Sequence, residues 1–318
     1  MNTSQSSARL DRIRHMRGAA ACRGFFRALA RRDPREAARL LGDKRLAFGT
    51  LFLLRPDIDA FLPEKLLSYR DQTALRFCLK CSEACRKEAD EKYTRPGTGE
   101  DARPVLLWIF TTGAADDGLC EEFDRVLDLA AAALIRLYRE ESILPAAAAL
   151  IFRRRRRGSC LHDLIWAYFQ AHSTAALRMI AEYLRSHDPK DTELARSLLH
   201  LPENETDNRR AYRAYLAWLK ENDPYLYFTE ESYQLTSAPV PCGVDLNAKF
   251  LCRKISRQSR SPASPLAPEE TERLNAFRSA GAEEKEALAR YSASLHRQNP
   301  NQWKKWMRSH GHGGKERV

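Results

Sequence analysis

Apolar residues recur at intervals of three and four along most of this chain, with good helix formers between them, so amphipathic α-helix is the dominant expectation. The pattern predicts helices over residues 7–31, 119–141, 145–156, 161–171, 174–186, 189–200, 207–222 and 244–255. A buried helix pair broken at Pro56 is expected between residues 45 and 62, and Pro63 opens a further helix carried to Tyr93. Residues 105–110, Val-Leu-Leu-Trp-Ile-Phe, are the one run apolar enough for a buried strand, but with no second strand to pair with, helix is the better reading. Asp33-Pro34, Asp188-Pro189 and Asp223-Pro224 read as helix restarts. In each, Asp accepts from unpaired first-turn N–H groups, and Pro loses nothing at the first helical position.

Three stretches depart from this texture. Residues 95–104, with Pro-Gly-Thr-Gly, read as a loop, and Tyr225, Tyr227, Phe228 and Tyr233 lie in a segment without helical spacing, an ordered wrap on the helical body. Residues 258–268, rich in Ser and Pro, read as a linker. The expected fold class is all-α, an irregular multi-helix stack, α-solenoid-like or a large helical bundle. The predicted organisation is a main domain over residues 1–257, the linker over 258–268, and a C-terminal helical segment over 269–318 that docks back on the main domain.

Composition agrees with this. Of 318 residues, 43% are hydrophobic and 30% charged, which fits a folded chain, while 14 Gly and 15 Pro are too few for a turn-rich all-β fold. The most apolar stretches, residues 126–135 and 143–152, fall well short of the ~20 residues that span a bilayer, so no transmembrane segment is expected. No apolar signal region follows the first residues, and the eight cysteines have no framework spacing. A cytoplasmic setting with free thiols follows as the expectation.

Charge changes the picture more. The net charge is +11, with +7 in residues 1–60, −5 in residues 105–152 and +4 in residues 258–318. Such asymmetry points to an acidic or phosphate-rich partner: an acidic protein face, nucleic acid or an anionic membrane surface. Arg153, Arg154, Arg155, Arg156 and Arg157 are the sharpest polar feature, because adjacent guanidiniums repel and must find anions or water. Two internal explanations stand beside an anion-binding one. The run ends a helix that Gly158 caps, so it complements the negative dipole end, and the acidic stretch before it offers intramolecular partners. Trp303, Lys304, Lys305 and Trp306 place two indoles on one helix face, a layout that serves base stacking or anchors a terminal helix.

Catalytic signals are sparse. GxSxG, HExxH, P-loop and GxGxxG patterns are missing, and Glu230, Glu231, Tyr233 and His162 are the least poor catalytic candidates, so no catalytic residue is assigned and no cofactor is expected. Cys78, Cys81 and Cys85 share a helix face, yet their flanking apolar residues and the lack of a nearby fourth ligand favour packing over metal binding. The reading is a non-catalytic intracellular interaction or scaffold protein that binds an acidic partner through basic patches. The alternative is a sequence-nonspecific nucleic-acid binder using residues 153–157 and the Trp303 and Trp306 face.

Overall fold

The computed structural model describes residues 8–86, 102–202, 207–229, 231, 236–255 and 266–309. Among them are fifteen α-helices and one two-stranded hairpin, an all-α multi-helix protein. The chain divides into two compact units, Met1–Ala171 and His172–Val318. That division falls well before the Ser/Pro-rich stretch, and no Pro or Gly marks it: residues 170–174 read Gln-Ala-His-Ser-Thr.

The first unit contains α1 (Arg9–Arg32), α2 (Pro34–Leu41), α3 (Phe48–Phe61), α4 (Tyr69–Arg86), α5 (Ala102–Gly113), α6 (Glu121–Tyr138), α7 (Leu144–Arg157) and α8 (His162–Phe169). Its core is aromatic where α3, α5 and α6 meet: Phe48 stacks on Phe123 at 5.5 Å, and Trp108 meets Phe48 edge-on at 5.7 Å. The α1 segment is interrupted at Gly18, whose φ of 85° only glycine adopts without strain. Asp33 caps α2 as the sequence predicts, accepting from the Glu36 N–H at 3.0 Å.

Pro56 does not break α3. It costs one hydrogen bond on the exposed side of a helix that buries Leu51, Phe52, Leu54 and Ile58, and that burial outweighs the loss. Pro63 leads into a short 3-10 turn, Glu64–Leu66, before α4 begins at Tyr69. The apolar run 105–110 is helical within α5, which already includes Pro104 in its first turn, where proline is tolerated. The predicted helix beyond residue 86 and loop residues 95–101 lie outside the described residues.

The second unit begins with α9 (Thr174–Glu182), α10 (Pro189–Leu198) and α11 (Asn208–Asn222). At Asp223-Pro224 no helix restarts. A single 3-10 turn, Asp223–Tyr225, feeds β1 (Leu226–Phe228), which pairs antiparallel with β2 (Cys242–Val244) in the register Leu226 to Val244 and Phe228 to Cys242. The aromatic residues that interrupt the helical period supply the β-propensity here. The helix predicted over 244–255 shrinks to α12 (Leu246–Phe250), because β2 takes Val244 and Cys252 turns the backbone left-handed at φ 51°. Linker residues 258–265 lie outside the described set. Beyond them α13 (Pro268–Ser279), α14 (Ala282–Gln298) and α15 (Pro300–Ser309) pack on α12 through Phe250, Leu274, Phe277, Ala289 and Met307.

Candidate functional site

The arginine run ends α7, an apolar helix that buries Ala147, Leu150, Ile151 and Phe152. Gly158 terminates it in the left-handed conformation at φ 72°, and its N–H reaches back to Arg154 and Arg155 carbonyls, the cap the sequence predicts. Arg154 lies on the inner side of this last turn. Its side chain is 1% exposed, with Nε donating to Asp117 Oδ1 at 2.7 Å and Nη1 donating to both Asp128 oxygens at 2.8 and 2.9 Å. The carbonyls of Cys160 and Asp124 accept the remaining donors at 3.3 Å. All three nitrogens of this guanidinium donate within the protein.

Its neighbours converge on the same place. Arg157 Nη1 donates to the Asp117 carbonyl at 2.9 Å, Arg153 donates to the Ala114 carbonyl, and both stand within 4.0 Å of the Asp117 carboxylate. Neither Arg155 nor Arg156 lacks a partner. As an outward anion-binding run, the assignment of Arg154 is therefore corrected. The acidic stretch that precedes the run folds back onto it, and a guanidinium already paired in a dry site is not offered to an external phosphate.

Burial leaves a mark on the carboxylates. Desolvation pushes the Asp128 carboxyl up to about 7, against the lowering effect of Arg154, while Asp163 and Asp117 add to the rise. Asp124 is also raised, mainly by burial, although the Gly118 N–H donates to it at 2.7 Å.

The tryptophan face also turns inward. Trp303 Nε1 donates to Ser292 Oγ at 2.8 Å and its ring meets His296 edge-on, while Trp306 lies edge-on to Phe250 and Tyr291. Both indoles are half-buried and their contacts anchor α15. Lys304 and Lys305 remain exposed between them.

Comparison with known protein families, curated proteins and solved structures yields no match.

Among the described residues, the other sequence candidates are not brought together. Cys78 and Cys81 are buried on α4, and burial pushes the Cys78 thiol up to about 12, which disfavours the thiolate a metal needs; the Cys85 side chain lies outside the described set. No group of three potential metal ligands occurs among the described residues. Glu231 accepts from the Val240 N–H at 2.9 Å, and Glu230 and Tyr233 are not among the described residues. A cavity of about 550 Å³ opens beside Arg55, Cys81, Ser82 and Glu122. There Arg55 clasps Glu122 at 3.0 and 2.9 Å and Ser82 donates to it at 2.5 Å, so Glu122 is held ionised and its oxygens are occupied.

The outward cationic surface is instead α1 and the start of α2. Arg9, Arg12, Arg17, Arg27, Arg31, Arg32 and Arg35 are exposed. The two carboxylates among residues 9–35 are both engaged elsewhere: Asp11 accepts from Ala47 N–H at 3.0 Å and Thr50 OH at 2.5 Å, and Asp33 caps α2. Arg27 pairs with Asp57 at 2.5 Å, and Arg9 and Arg31 lie over Phe25 and Phe61. Among the described residues Arg12, Arg17, Arg32 and Arg35 form no ion pair, and Glu36, the carboxylate beside them in the first turn of α2, is clasped by Arg39 at 2.6 and 2.7 Å. The +7 count over residues 1–60 is the signal in the sequence for this region. No helix among the described residues is long and apolar enough to cross a membrane.

Proposed function

We propose that this protein is a non-catalytic helical interaction protein that recognises an acidic partner protein through the arginine surface of α1 and the start of α2. The observation that carries the reading is the exposure of Arg12, Arg17, Arg32 and Arg35, while the described carboxylates beside them, Asp11, Asp33 and Glu36, each already have a partner. Such a field steers an acidic partner and sets its orientation more than it adds raw affinity. A nucleic-acid target would draw on residues 153–157, the basic first helix and the stacking of Trp303 and Trp306. Arg154 and both indoles are engaged within the protein, which favours a protein partner over nucleic acid. The cytoplasmic setting in this reading rests on the sequence alone.

The test is fluorescence anisotropy with a labelled random glutamate–leucine copolymer and a random-sequence RNA of equal charge, at about 50 and 200 mM salt, a range over which phosphate-driven binding collapses. The expected result is copolymer binding that weakens with salt and is lost in the variant R12S/R17S/R32S/R35S. Tighter RNA binding with a steep salt slope, unaffected by those four changes, would overturn the reading.

A further inference from the structure

A second outward cationic face lies on α11, in the other unit, and it carries an aromatic anchor that α1 lacks. The helix is amphipathic, burying Ala211, Tyr215, Leu219 and Asn222. Its outer side exposes Arg209, Arg213, Ala214, Ala217 and Lys220. Trp218 stands at the border of this side, 36% exposed, with one ring face stacked on Tyr215 at 5.4 Å.

Among the described residues, the acids nearest this face are committed. Asp207 caps the helix through the N–H groups of Arg209 and Arg210 at 2.9 and 3.2 Å. Glu221 accepts from the buried Lys249 ammonium at 3.0 Å and also faces Arg297. The charged side chains that the described part of α11 exposes are therefore cationic. Between the cations the surface is low, because Ala214 and Ala217 carry only methyl groups.

We propose that this face docks an amphipathic helix of a partner protein, with an apolar row seated against Trp218 and the two alanines and carboxylates meeting Arg213 and Lys220. Tryptophan and arginine are the residue types that most often dominate interface energetics, and the lone positive sign of the rim selects acidic flanks. Single-stranded nucleic acid fits less well, since successive bases need successive stacking platforms. The neighbouring aromatic is occupied: Tyr212 donates its hydroxyl to Glu182 at 2.5 Å and Arg185 covers its ring.

The experiment uses the full chain and a synthetic helical peptide bearing glutamates on both flanks of a leucine row, with a glutamine-for-glutamate version and oligo-thymidine as further probes. The acidic peptide should bind, and Trp218→Ala should weaken it roughly tenfold or more, as truncation of an interface anchor does. R213E/K220E, at two exposed positions, should weaken it at least as much without altering the circular dichroism. The glutamine peptide should bind poorly, and R12S/R17S/R32S/R35S should bind the acidic peptide as the native chain does. Undiminished binding by R213E/K220E would overturn the proposal, as would loss of binding only in the α1 variant. Binding of oligo-thymidine in place of the peptide, lost on Trp218→Ala, would reassign the face to nucleic acid and overturn it too.

Discussion

The end of α7 carries five consecutive arginines, and α1 carries eight within its length, yet these clusters answer to different surroundings. At α7 the chain has just delivered Asp117, Asp124 and Asp128, and Arg154 is drawn inward until it is 1% exposed. At α1, Arg14 and Arg23 find Asp116 and Asp57, while Arg12 and Arg17 face solvent and form no ion pair among the described residues. Charge density along the chain is thus a poor guide to a binding surface. What decides is whether an acidic segment folds within reach, because a buried pair is held by its mutual attraction and a solvated cation is left for a partner.

This contrast is most sharply probed by removing Arg154. Arg154→Met leaves Asp128 without its cation and Asp117 with only the longer contacts of Arg153 and Arg157, and a loss of about 3–5 kcal/mol of unfolding free energy is expected in urea denaturation, the usual cost of breaking one side of a buried pair. A change below about 1 kcal/mol would mean that the site is wetter than its geometry indicates.

The next effect is a pH dependence. Burial raises Asp128 to about 7 in the folded state, above the ~3.9 of an unfolded aspartate, so folding takes up a proton in the interval between these values. The stability tied to that proton is fully present below the unfolded value and is lost as pH rises through about 7. Asp128→Asn cannot ionise, and thermal melts from pH 4.5 to 7.5 (about the window that the two values define) should show the variant losing less stability with rising pH than the native protein. Parallel curves would contradict this.

Smaller still is the cap. Gly158→Ala forces a Cβ into a left-handed residue at φ 72°, with open space around it, and should cost about 1 kcal/mol through backbone conformation alone. At the bottom of the scale, R12S and R17S should each move the unfolding free energy by no more than about 0.5 kcal/mol, as solvated side chains do.

Much of the helical framework is legible in the sequence because amphipathic period and Asp-Pro starts are local signals. Asp33 and Asp188 cap α2 and α10 in the way their spacing predicts. Pro56 and Asp223-Pro224 mislead for opposite reasons: tertiary burial carries α3 past its proline, whereas strand pairing with residues 242–244 captures the segment after Pro224. The arginine run was legible as a helix end with a glycine cap, and its acidic neighbours were visible as a charge count. Which arginine turns inward was not, since that depends on the angle at which α7 meets the segment holding Asp117. The inward anchoring of Trp303 likewise rests on Ser292, eleven residues away on another helix.

The most direct measurement is the salt dependence of glutamate–leucine copolymer affinity in two variants, R12S/R17S/R32S/R35S and Arg154→Met, each under conditions where circular dichroism shows it folded. The account predicts a flattened slope in the α1 variant and a native slope in Arg154→Met. A native slope in the α1 variant, with a flattened one in Arg154→Met, would contradict it.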